Sequence, residues 1–81
     1  MNRSEVIADT VVSLFRNQTR ATDITYNITR SETIFRMKLN EEIVPKYLDW
    51  VLGHDVIKIG KEEENLYEAK IQGELMIFHL T

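Results

Sequence analysis

Glu74-Leu75-Met76-Ile77-Phe78-His79-Leu80-Thr81 closes the chain and stays apolar at odd and even positions alike. A strand with one wet face alternates apolar and polar residues, whereas a strand covered on both faces does not. The stretch therefore predicts a strand in the middle of a sheet. Met76, Phe78 and Leu80 are expected to face the main core, with Ile77 covered on the other side. Just before it, Tyr67, Ala69 and Ile71 alternate with Glu68, Lys70 and Gln72, the pattern of a half-exposed strand. Gly73-Glu74 reads as the tight turn between the two, of type II′ with Gly73 at its first central position. Val56-Ile57-Lys58-Ile59 is a further short strand, set off by an acidic loop over 60–65 that contains Glu62-Glu63-Glu64.

Earlier in the chain the period changes twice. Ile7, Val11, Leu14 and Phe15 recur at helical spacing, flanked by Ala8 and Val12. Asn2 is the expected N-cap, and Glu5, three residues on, its capping-box partner. Glu5 and Asp9 stand near the positive end of the helix dipole, Arg16 and Arg20 near the negative end. These signals predict a helix over 3–17. Thr22–Thr29 then alternates, with Ile24, Tyr26 and Ile28 on one face. Thr33–Leu39 does the same with Phe35, Met37 and Leu39, leaving Arg36 and Lys38 on the other side. Arg30-Ser31-Glu32 connects them, so 22–39 reads as a β-hairpin. Asn40-Glu41-Glu42 opens a second helix with acids in its first turn. Proline is tolerated only in that first turn, so Pro45 fixes the start at 41 or 42. Gly53 is the natural residue to end it.

The order is α-β-β-α-β-β-β. It predicts an α+β fold, two helices packed on a mainly antiparallel sheet of about five strands with the C-terminal strand central. Residues 1–81 make one small domain.

Composition narrows the chemistry. The 81 residues include no cysteine, which excludes a disulfide framework, a thiolate metal site and a cysteine nucleophile. It also fits a reducing compartment. The first residues, Met1-Asn2-Arg3-Ser4-Glu5, form no apolar leader, and no apolar run approaches the ~20 residues needed to cross a bilayer. A cytoplasmic location without membrane association is the expectation. Ser4, Ser13 and Ser31 lie in no Gly-x-Ser-x-Gly elbow. His54 and His79 have no second ligand at metal-binding spacing. Gly53, Gly60 and Gly73 are too scattered for a phosphate loop. These patterns predict no enzyme and no cofactor; catalysis by dispersed carboxylates is the weakest of the alternatives.

Net charge is −3. Residues 1–40 hold six basic and four acidic side chains, net +2; residues 41–81 hold four and nine, net −5. The early cations are mostly arginine, which suits bidentate contacts with carboxylate or phosphate. Arg20, Arg30, Arg36 and Lys38 on or beside the hairpin could follow a DNA groove, since two-stranded ribbons fit one. The plainer reading is a wet sheet face with cross-strand pairs such as Asp23 with Lys38 or Arg36. The second helix offers another surface. Its apolar arc spans about 200° at ~100° per residue, wider than one core needs. Val44, Leu48 and Val51 form its centre, and Ile43, Tyr47 and Trp50 one flank. Trp50 is either the edge of the core or an interface anchor. The expectation is a non-enzymatic module that binds and modulates a protein partner through Ile43, Tyr47 and Trp50. A homodimer is expected because apolar residues on both faces of one strand leave surface to cover. The alternative is a dimeric nucleic-acid-binding regulator that uses the hairpin.

Overall fold

The computed structural model of the chain describes residues 2–39, 45–60 and 65–81. Its elements follow the expected order: α1 (Arg3–Gln18), β1 (Thr22–Ile28), β2 (Thr33–Lys38), α2 (Pro45–Leu52), β3 (Val56–Lys58), β4 (Leu66–Ile71) and β5 (Glu74–Leu80). Asn2 caps α1, its side-chain oxygen accepting the Glu5 backbone N–H at 2.8 Å. The other half of the capping box differs from expectation. The Glu5 carboxylate meets the Asn2 side-chain amide, 3.4 Å away, instead of its backbone N–H. Of α2, the start expected at 41 or 42 lies outside the described residues, as do Ile43 and Val44. Its end is as expected: Gly53 turns left-handed at φ 67°, and its N–H donates to the Asp49 carbonyl at 2.7 Å.

The five strands form one sheet in the order β1-β2-β5-β4-β3, with β5 in the centre. β1–β2, β3–β4 and β4–β5 are antiparallel, and β2–β5 is parallel. A parallel neighbour needs a long crossover, and the chain carrying α2, β3 and β4 supplies it. The pairing runs past the strand ends: Thr81 donates to the Met37 carbonyl at 3.0 Å and accepts from the Leu39 N–H at 2.8 Å.

Both helices pack on the same face of the sheet. Their buried residues, including Ile7, Val11 and Phe15 of α1 and Leu48, Val51 and Leu52 of α2, join one core with Phe35, Met37, Tyr67, Ala69, Met76, Phe78 and Leu80. Aromatic rings run through its middle. Phe35 stacks on Phe78 with centroids 5.0 Å apart, Phe15 lies 5.7 Å from Phe78, and Tyr26 lies 5.8 Å from Phe35. Met76, Phe78 and Leu80 thus face the core as expected. Ile77 is buried as well, but stands outside that core on the reverse face.

The β4–β5 turn corrects the expected one. Ile71 pairs directly with Glu74, so the two loop residues are Gln72 and Gly73, not Gly73 and Glu74. Both have positive φ, 50° and 82°, the signature of type I′ and not of type II′. Type I′ twists with the strands it joins, and that match outweighs the strain on Gln72.

Candidate functional site

Helix α2 is held by its apolar side and pinned at its end. Leu48 and Val51 are buried, and the Asp49 carboxylate accepts the Val56 backbone N–H, tying the helix to β3. What faces outward is therefore fixed in place. Tyr47 and Trp50, three residues apart, stand on one helical face and stack with centroids 6.3 Å apart and planes 23° from parallel. Tyr47 is half-buried and leans on the core. Trp50 is 67% exposed. Trp50 is thus not among the buried residues that join the core beneath α2. Ile43, the third residue of that flank, lies outside the described residues.

The hairpin cations do not converge. Arg36 and Lys38 share the reverse face of β2, opposite Thr25 and Thr22 of β1. Lys38 is 3.7 Å from the Asp23 carboxylate, with both groups exposed, one of the two cross-strand pairs the sequence suggests. Arg20 and Arg30 precede and follow β1, a strand that spans roughly 20 Å. The ribbon thus presents separated charges, one already neutralised.

A polar cleft of about 380 Å³ lies at one end of the sheet, bordered by Ser4, Arg30, Glu32, Lys70 and Glu74. Its charges are mixed and partly satisfied: Ser4 donates to Glu74, and the Arg3 guanidinium stands 3.7 Å from the same carboxylate. His54 follows α2, whereas His79 lies on the reverse face of β5 opposite Arg36. Among the described residues, no group of three or more His, Asp or Glu is placed to hold a metal ion, and no helix is long and apolar enough to cross a membrane. Two tyrosines have raised pKa values. The Tyr26 hydroxyl donates to Asp9 at 2.8 Å, and that bond raises it most. Burial raises Tyr67.

The sequence reading expects Ile77 to be covered on the far side of β5, and here the structure differs: both helices lie on the core side. No described element covers the reverse face of the sheet. Ladder register and alternation place Ile34, Ile57, Leu66, Leu75 and Ile77 there. Ile57 is 65% exposed and Ile59, one step beyond β3, 40%. The available signal was an apolar residue out of phase within each strand, beside charged neighbours: Ile34 before Arg36, and Ile57 before Lys58. Comparison with known proteins finds no family model, no curated protein and no solved structure that matches the chain.

Proposed function

We propose that this chain is a non-enzymatic interaction module that binds a protein partner and modulates it, using the aromatic flank of α2. The observation that carries this reading is the stacked Tyr47–Trp50 pair, with Trp50 67% exposed on a helix fixed by its buried side. An indole left in water on a rigid helix is a large apolar area ready to be covered. Tryptophan and tyrosine are enriched at interface centres because they bury area while keeping one polar group bonded. The lack of a nucleophile elbow, a phosphate loop and paired histidines in the sequence supports a binding role over a catalytic one. A cytoplasmic setting fits the cysteine-free chain. The nucleic-acid reading has weaker support, because the hairpin cations are spread along the strand and Lys38 is paired.

Affinity purification from the native host with mass spectrometry tests the proposal when wild-type and Trp50→Ala chains are run in parallel. The expected result is a protein retained by the wild type and lost from the folded variant. Equal recovery of the same proteins by both chains contradicts it.

A further inference from the structure

We propose that the open edge of β1 is a docking site for an extended, basic segment of a protein partner, which joins the five-stranded sheet as a further strand. β1 and β3 are the two edges of the sheet, and they differ in how they are closed. The Ile59 N–H donates to the Leu66 carbonyl at 3.2 Å, so alternation along β3 turns the backbone groups of Val56 and Lys58 outward. The Asp49 carboxylate takes the Val56 N–H, Lys58 carries a charge, and the strand is three residues long. Short length and an edge lysine are devices by which sheets discourage added strands. β1 has seven residues and among them no lysine, arginine or proline. Just beyond it, the Thr29 N–H donates to the Glu32 carbonyl at 2.8 Å. The same alternation therefore turns the backbone groups of Tyr26 and Ile28 away from β2. Among the described residues, none bonds to them. The bulge between Thr22 and Thr25, with Asp23 left-handed at φ 54°, interrupts only the start of the strand.

A row of N–H and C=O groups at strand spacing is matched by another extended backbone. Side chains then select which one. Ile24, Tyr26 and Ile28 are half-buried on the core side of β1, so an incoming strand that is apolar there continues the core layer. Over this edge, Asp9 of α1 accepts the Tyr26 hydroxyl at 2.8 Å. Glu5 lies one turn earlier on the same face of the helix, and its charge also reaches Tyr26, adding to the rise in that hydroxyl's pKa. The ion pairs among the described residues are Arg3 with Glu74 and Lys38 with Asp23, so neither Asp9 nor Glu5 is neutralised by one. Two carboxylates over the edge favour a lysine or arginine on the core side of the incoming strand. The same carboxylates disfavour a second copy of this chain. Antiparallel pairing of β1 with itself would set both α1 helices on one side of the joined sheet, with Glu5 and Asp9 of each copy across the seam from those of the other. The edge is also remote from the Tyr47–Trp50 flank, because α1 packs on β1 whereas α2 packs on β3.

NMR of the full chain, titrated with the end-capped peptide Ser-Val-Thr-Lys-Thr-Val-Ser, tests this. Its two valines and its lysine share one face when it is extended. Without peptide, the amides of Tyr26 and Ile28 should exchange with solvent quickly, and those of Thr25 and Asn27, bonded to β2, slowly. Added peptide should shift and protect Tyr26 and Ile28, with a dissociation constant on the order of 0.1–1 mM, since one short strand buries far less than a standard interface. Replacing the peptide's lysine by glutamate should weaken binding about fivefold. Asp9→Lys should reverse that preference, and the two peptides on the wild-type chain carry the test if the variant fails to fold. The same peptide with its backbone amides N-methylated should not bind. Trp50→Ala should leave the titration unchanged, which separates this edge from the surface proposed on α2. No binding at millimolar peptide overturns the proposal, and so does equal binding of the N-methylated peptide or of the glutamate peptide. Protection of Tyr26 and Ile28 that rises with protein concentration alone would make a second copy the occupant, and overturns it too.

Discussion

Gln72 sits where the backbone favours glycine or asparagine, at φ 50° in a type I′ turn. Its Cβ meets the neighbouring carbonyl in that region, at a cost of about 1 kcal/mol. Gln72→Asn should therefore raise stability by about 0.5–1 kcal/mol, read as a higher urea midpoint at unchanged slope. The sequence pointed to this turn through Gly73, but placed it one residue late. A lone glycine does not tell which central position it occupies, and the pairing of Ile71 with Glu74 decides that. The tyrosines give a second residue-scale test. Tyr26, bonded to Asp9, and buried Tyr67 are both raised above their ordinary value of 10. A group raised in the folded state holds its proton longer there than when unfolded. The stability it contributes is fully present below the unfolded pKa and is lost as pH climbs through the folded one. Stability should accordingly fall as pH rises above 10. Tyr26→Phe should make that fall shallower in denaturation curves taken across the alkaline range.

At the scale of elements, β5 was legible because one stretch of sequence carries both of its faces. Its Met76, Phe78 and Leu80 complete the main core, so deleting 76–81 should abolish cooperative folding; a thermal transition surviving the deletion would contradict the central position of β5. Phe78→Ala alone should cost about 3–5 kcal/mol by chemical denaturation, because Phe15 and Phe35 would flank the space it leaves. The first helix was legible through Asn2 and the end of the second through Gly53, residues whose backbone demands are local. The parallel pairing of β2 with β5 was not, because no local pattern states which distant strand lies alongside. The open reverse face was obscured for a related reason. Ile34 and Ile57 each look incidental within one strand, and only the register aligns them with Leu75 and Ile77 into a surface.

The whole molecule is a two-layer structure finished on one side only. Both helices pack over the Phe15–Phe35–Phe78 side. The other side keeps apolar residues in reach of water, and α2 carries its indole outward. Tertiary packing explains why Trp50 is left out: Leu48, Val51 and Leu52 already fill the space beneath α2. The width of the apolar arc in the sequence could not settle the place of Trp50, because a broad arc is equally compatible with a deeper core. The central claim is that Trp50 contributes to association and not to the fold. A urea-denaturation curve of Trp50→Ala on dilute protein tests that claim most directly. A stability within about 0.5 kcal/mol of wild type is predicted, as for a surface substitution. A loss of about 3–5 kcal/mol would make Trp50 a core residue and remove the α2 flank as a docking surface.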